Sequence, residues 1–592
     1  LKNFLQKNEY RFLGLLLFFG LLVRIAALWA ASALPFWTHH RLDAQIYHEA
    51  GLRIAAGDWT LGREVFHMSP LYSYLVGLLY TLFGNNPWVV PLFQSALGVL
   101  MIALIWATAR LLWKSSAWSL LSAALVAFYG PAIFYESHTL SATLDSFLWT
   151  LLIWRLCCAV ETGQQPSNWA IVGLCWGLCV LSRPNALLLL PLLSIGLFFE
   201  FHQKAWKPLF AFGLVGLIVL SPATLRNRLV AGEWVWVTDS GGINFYIGNA
   251  KGATGTFRRP PGLEAAGHPS QQFALFRRVA EQASGRRLTA RQVDSFWYRM
   301  TWVDIRQEPY TWLRLLRNKL WLFWSATELS NNQDYEFTRT FLNPVLAAPL
   351  VQFGWLSPWS FLGLLLFLWW GMGGDIAAAT QRTAKQRAFG RWLALATATL
   401  IGSILLFFVL ARYRLALFSS LLLCAVAALR EVVHRLRAAS WSRAALLSAA
   451  AFSLYPLVYT VWLERSFAEE YFKLGFAYHI QKRFVQAEQS YLRAIRYDAN
   501  HLSSYKNLAY LYENRGHKEQ AIFQWKQILN LPEIHHSLRQ LAQLRIQALL
   551  AVPQPPPSPS TTLRQIALPQ THHTTQPPTT QRLPPSLPTI PR

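Results

Sequence analysis

The decapeptide RLDAQIYHEA (41–50) sets an acid, Asp43, directly behind the apolar run RFLGLLLFFGLLVRIAALWAASALPF (11–36). A carboxylate at that boundary meets both lipid headgroups and water. It can serve as general base toward a hydroxyl, a role worth roughly 10²–10⁴-fold in rate. Asp43 has a plainer reading too. It precedes a helical pattern with Ile46, Tyr47, Ala50 and Ile54 on one face, and can cap that helix by accepting a backbone N–H. Glu49 and Arg53 are spaced as a pair on the other face, and Gly57 stands where a glycine would end the helix. A second acid, Glu136 in AIFYESHTLSATLD, lies at the edge of an apolar run, where charge is expensive and leans toward function. Its alternative is an interface pairing with His138 or an arginine. Arg183 in LSRPNA, and Arg412 with Arg414 in RYRL, also interrupt apolar runs and suit an anionic ligand such as a phosphate. Pro184 equally reads as the opening of a new helix. In GGINFYIGNAKGATGTF (241–257), Asn244 and Asn249 offer polar contacts of a lid, or else the segment is a turn between strands or interface helices. Its glycine spacing fits neither a P-loop nor a dinucleotide fingerprint.

These residues need a scaffold, and the composition says which. Of 592 residues, 53% are hydrophobic and 14% charged, and the apolar ones come in runs near the ~20 residues that span a bilayer. The spans expected are 11–34, 88–112, 117–135, 139–160, 169–182, 186–201, 208–225, 345–371, 391–411, 415–430 and 443–463. The fold class is an all-α polytopic membrane protein of about 11 transmembrane helices. The stretch 70–84 is short and reads as an interfacial helix, as does 312–324, with Arg314, Arg317 and Lys319 as headgroup anchors. The net charge of +25 gathers in short inter-span loops, as the positive-inside rule requires, so nucleic acid is not indicated as a partner. With the N-terminus inside, loop one (36–87), the long segment 226–340 and everything after 463 lie outside. The first span, behind LKNFLQKNEYR, reads as an uncleaved anchor. The five cysteines fall in apolar runs without metal-ligand spacing, so no metal site is expected.

Beyond residue 463 the pattern changes. Tyr471/Tyr505, Leu474/Leu508, Tyr478/Tyr512, Ala487/Ala521 and Tyr491/Trp525 recur at a spacing of 34, with Gly475/Ala509 as matching small residues. That is the tetratricopeptide period, so a repeat domain is expected over 464–551, capped by 537–551. The Pro- and Thr-rich tail 552–592 cannot bury a core and is expected to be disordered.

Residues 43–59 (DAQIYHEAGLRIAAGDW) and 69–84 (SPLYSYLVGLLYTLFG), together with LSRPNA, GGINFYIGN and RYRL in that order, resemble the C-type glycosyltransferases. More narrowly they resemble the bacterial relatives of the protein O-mannosyltransferases, glycosyltransferase family 39. The resemblance covers about residues 10–430, the greater part of the membrane domain 1–463. It implies a donor sugar, mannose-like, on a polyprenyl phosphate in a bacterial inner membrane; span parity puts the active site on the extracytoplasmic side, and a single displacement on such a donor inverts the anomeric carbon. It implies Asp43 as base and a second acid about where Glu136 stands; with the residue readings above, Arg183, Arg412, Arg414, Tyr47, Asn244 and Asn249 are the expected substrate-binding residues. No obligatory cofactor is implied. The acceptor is protein, lipid or glycan, and the repeats are available to a protein partner. Where the eukaryotic mannosyltransferases carry paired acids, this chain has Asp43-Ala44. A transporter or a non-catalytic scaffold are the rival classes; a transporter should show internal repeats or broken midplane helices.

Overall fold

The computed structural model describes residues 2–260, 263, 270–330, 332–371, 384–460, 466–532 and 534–551. The tail 552–592 therefore lies outside the described residues. The chain divides into two compact units, Leu1–Glu464 and Arg465–Arg592. Among the described residues the structure is helical, with one isolated bridge, Tyr129–Val351.

In the first unit the principal helices run α1 Glu9–Ser32, α2 Asp43–Ala55, α3 Pro70–Phe83, α4 Val89–Trp113, α5 Ser116–Ala127, α6 Gly130–Glu136, α7 Ala142–Thr162, α8 Pro166–Ser182, α9 Leu189–Phe201 and α10 Trp206–Ala231. Next come α11 Gly241–Asn249, α12 Ser270–Ser284, α13 Ala290–Gln307 and α14 Pro309–Trp324. The unit closes with α15 Phe353–Gly371, α16 Ala384–Leu406, α17 Ala411–Ala416, α18 Phe418–Arg437 and α19 Trp441–Tyr459. Among the described residues six apolar stretches are long enough to cross a membrane: Glu9–Ser32, Val89–Trp113, Ala142–Thr162, Pro184–Ala231, Phe353–Trp370 and Lys385–Leu406. The protein is an integral membrane protein of the all-α class.

Two departures from regular helix prepare the site. The stretch expected as one span, 117–135, is broken between α5 and α6, because Pro131 cannot donate and starts a new helix. The backbone groups freed by the break are satisfied by Val351, whose N–H donates to Phe128 (2.9 Å) and whose carbonyl accepts from Gly130 (3.0 Å). The second departure is the turn 407–410 between α16 and α17, which holds Arg412 just beyond it. Elsewhere the core is close-packed, and a Cβ on Gly363 of α15 would collide with the Cys424 carbonyl of α18. That position tolerates only glycine.

The stretch 70–84 is a helix as expected, but it is not surface-lying throughout. Tyr72 and Val76 are fully buried, and α3 packs against α2. The second unit comprises α20 Ala468–Ile480, α21 Phe484–Tyr497, α22 Leu502–Asn514, α23 Lys518–Leu529 and α24 His536–Ala551. Its core gathers Ala487, Tyr491, Leu508, Leu511, Tyr512 and Ala521. A Cβ on Gly475 would sit 2.8 Å from the Tyr491 ring, which explains the small residue there.

Candidate active site

Asp43 does not cap α2. It occupies the first helical position, and the residue before it, Leu42, takes the N-cap place at φ 53°, ψ −129°, with no side-chain cap bond. Such a conformation is costly for a branched L-residue, on the order of 1–3 kcal/mol, and strain of this kind collects at functional sites. The physical reason for the lost cap is Arg412, whose Nη1 donates to Asp43 Oδ2. The Asp43 Oδ1 atom takes no bond among the described residues. The expected Glu49–Arg53 pair is also redirected: Arg53 binds Asp58 at 3.0 and 2.5 Å, while Gln45 donates to Glu49. Gly57, at φ +93°, does follow the helix end.

Asp43 and Arg412 face a cavity of about 260 Å³ that Tyr47, Arg183, Asn244 and Arg259 also line. Arg183 reaches it because Pro184 forces its backbone to be extended as α8 ends. Its guanidinium binds Asp145 of α7, with Nε–Oδ2 at 3.0 Å, and lies 4.3 Å from the Tyr413 ring centroid. Ser182 (2.5 Å) and Ser141 (3.1 Å) donate to the same carboxylate. Arg412 lies 5.3 Å from the same ring. Burial alone would lower the Arg412 guanidinium, but the Asp43 charge and hydrogen bond carry it above its ordinary value. Arg259 is different. Its Nε is buried and has no partner among the described residues. The cavity therefore presents two guanidiniums already matched by carboxylates and a third that has no carboxylate partner among the described residues.

At the other wall His67 places Nδ1 2.6 Å from Asp239 and Nε2 3.3 Å from Glu64, and stacks on Phe273 at 4.8 Å. Burial lowers its pKa, but the two acids outweigh burial and raise it above the ordinary imidazole value. Asp294, beneath α11, is pushed up to about 6 by burial and accepts from the Gly242 N–H.

Three expected site residues are not brought to this cavity. Glu136 is fully buried against Arg24 of α1 at 3.0 Å, so its charge is spent inside the helix bundle. Arg414 is buried too: it pairs with Glu328 at 2.8 Å and donates to the carbonyls of Phe323, Ser325 and Thr327. It pins the chain around α17 and does not face a ligand. Asn249 is turned away from the cavity, toward Lys319 and Trp312. Lys319 itself is no headgroup anchor, being fully buried. Conversely Asp145, Arg259, Tyr413 and His67 line or support the cavity and were not singled out from the sequence. Asp145 stood in the same quoted segment as Glu136, but Arg259 had no local signal among the many arginines of 226–340.

A second space adjoins the first. An open groove lined by Leu188, Leu316, Leu320, Leu405 and Leu406 runs along α16 and α14, and Ser403 lines both this groove and the polar cavity.

A polar, arginine-lined chamber beside apolar helices defines the class: a polytopic membrane protein with a buried anion-binding chamber. Sequence comparison is more specific. Residues 67–225, which hold His67, Asp145 and Arg183, match the family model described as dolichyl-phosphate-mannose-protein mannosyltransferase. The undecaprenyl phosphate-alpha-4-amino-4-deoxy-L-arabinose arabinosyl transferases of Pseudomonas paraeruginosa and Pseudomonas aeruginosa are 27% identical over 186 residues, 29% of this chain and 33% of theirs. The chain thus spans about a third of the length of these curated relatives. Among solved structures, the Archaeoglobus fulgidus oligosaccharyltransferase superposes with TM-score 0.40 at 16% identity, over 78% of this chain and 55% of that one. The archaeal oligosaccharyltransferase in complex with an inhibitory peptide and a dolichol-phosphate gives 0.39 at 15%, over 81% and 59%.

Proposed function

We propose that the protein is a membrane glycosyltransferase that takes a sugar from a polyprenyl-phosphate carrier and transfers it to a hydroxyl on the extracytoplasmic side. The observation that carries this is the adjacency of the two spaces on either side of Ser403. A guanidinium-lined chamber and an apolar groove along a spanning helix, separated by the wall residue Ser403, together suit a ligand that is half phosphate and half hydrocarbon. The similarity to enzymes named for dolichyl- and undecaprenyl-phosphate sugars agrees with it.

The reaction is a single displacement. The acceptor oxygen attacks the anomeric carbon, the bond from that carbon to the phosphate oxygen breaks, and the phosphate departs with the electron pair. A glycosyl phosphate is a good leaving group, so one carboxylate suffices, unlike glycoside hydrolysis where two share the work. Asp43 Oδ1 receives the hydroxyl proton, while Arg412 holds Oδ2 and fixes the carboxylate's direction. Arg259 and Arg412 hold the departing charge, as preorganised cations should.

Purified full-length protein in lipid, given labelled polyprenyl-phosphate sugar and candidate acceptors, tests the proposal. Transfer is expected from the lipid donor but not from a nucleotide sugar, and Arg259→Met is expected to raise donor KM by about 10- to 100-fold. No transfer from any lipid-phosphate donor would overturn it and favour a transporter or scaffold.

A further inference from the structure

Lys319 is a full lysine buried to zero exposure on α14, outside the spanning helices, with no carboxylate in ion-pair reach among the described residues. Its ammonium donates to one acceptor, Asn249 Oδ1, at 2.8 Å, and Trp312 Nε1 donates to the same oxygen at 3.0 Å. The other end of the Asn249 amide faces the active site's supporting turn. Its Nδ2 donates to the carbonyl of Leu406 at 2.7 Å, the last residue of α16, and to Phe245 at 2.9 Å. From Leu406 the chain passes through Phe407 and Phe408, which line the cavity, to Arg412.

The same turn is tied down twice more. The Val409 N–H donates to Gly255 (2.9 Å) and the Ala411 N–H to Leu329 (2.7 Å). Gly255, at φ +91°, lies so close to Lys319 that a Cβ would stand 3.0 Å from the lysine Cγ. A Cβ on Gly248 would strike the Phe407 carbonyl. So the end of α11, the loop after it and the turn 407–410 are layered over one buried amine.

We propose that Lys319 and Asn249 form a clasp that positions the Phe407–Arg412 segment for donor binding, acting through that segment and not by touching substrate. The clasp rests on the reading of the cavity as a donor site. Burial is unfavourable for the lysine, holding its pKa down to about 7. A side chain that fills a core for stability alone would be apolar here, since an unpaired buried charge costs free energy. The charged groups around it are Lys251, Asp304 and Glu308 beside Asn249, Arg314 and Arg317 on its own helix, and Arg412 beyond the turn. None of these offsets the burial.

Two variants of the full-length protein test the clasp. Lys319→Met removes the amine together with its burial cost. Asn249→Asp keeps the acceptor oxygens but loses donation to Leu406. Because the folded-state pKa is depressed, the lysine's cost is full below about pH 7 and is relieved as pH rises toward its unfolded value. Lys319→Met should therefore melt at or above the wild-type temperature, with the larger gain at about pH 6 than at about pH 9. Both variants should raise donor KM about tenfold with kcat within about twofold, and speed amide exchange at Val409 and Ala411. Wild-type KM and exchange rates in both variants would overturn the clasp. If the wild type transfers no sugar at all, the donor reading fails, and the exchange rates still decide whether the clasp exists.

Discussion

Replacing Asp43 by asparagine separates the base from the binding site more sharply than any other change. The substitution keeps the shape and removes one negative charge, at a carboxylate 23% exposed against a guanidinium 15% exposed. Loss of general-base assistance lowers turnover by roughly 10²–10⁴-fold. Donor affinity should move the other way. In the wild type the Asp43 carboxylate and the donor phosphate are both drawn to Arg412 and repel each other. If they stand on the order of 6 Å apart, that repulsion is about 3 kcal/mol at an effective dielectric of about 20. Water and salt at the open cavity reduce it, leaving about 1 kcal/mol, or a gain of about fivefold in affinity for polyprenyl phosphate. The assay is equilibrium binding of labelled polyprenyl phosphate beside single-turnover transfer, on the same preparation. Weaker donor binding together with slower turnover would refute the reasoning, because Asp43 would then be holding Arg412 in place and not competing for it. Turnover within tenfold of wild type would refute its role as base.

Further expectations follow from neighbouring geometry. Arg414→Met should leave Glu328 buried without its cation and destabilise the membrane unit by about 3–5 kcal/mol, seen as lost thermal stability in detergent, whereas Arg412→Met should chiefly raise donor KM. His67 has a raised pKa, so its ties to Asp239 and Glu64 are complete below about pH 6.5 and weaken as pH rises through the folded-state value. The protection of the amides of α12, the helix carrying the stacked Phe273, measured as exchange relative to the intrinsic rate at each pH, should accordingly fall between about pH 6 and 8, and His67→Phe should abolish that fall. Leu42→Gly relieves the left-handed backbone before Asp43 and should raise the melting temperature modestly, by up to about 1 kcal/mol in free energy; a fall would show that the leucine side chain matters more than its φ.

The residues that could be read from the sequence were those whose neighbours in space are announced by position. Asp43, Arg183 and Arg412 lie at ends of apolar runs that span parity assigns to one side, and Asn244 lies in the long segment 226–340 assigned to the same side, so parity was enough to expect them together. Glu136 satisfied the same rule and still went elsewhere, because its partner Arg24 lies 112 residues away inside an apolar helix. Sequence shows that a buried charge must be compensated; it does not show by which opposite charge. Arg414 misled for a related reason, since two residues from Arg412 on a helix is nearly the opposite face. Asn249 was legible as polar and glycine-flanked, but only the fold shows it facing Lys319. Arg259 was invisible because nothing local distinguishes one arginine of a long basic segment from the next.

The buried Arg24–Glu136 pair also bears on how the protein is made. The apolar helix carrying Arg24 emerges from the ribosome well before Glu136 exists, and at about 5–20 residues per second the 112 intervening residues take roughly ten seconds to synthesise. Through that interval an arginine in a nascent span carries an insertion penalty of about 2.5–3.5 kcal/mol with no counter-ion. The mean hydropathy of 2.3 over its best window must hold the helix in the translocon or the bilayer meanwhile. Final seating of the first span is thus tied to arrival of α6, and substitutions at Glu136 should appear first as failed biogenesis, with little protein reaching the membrane.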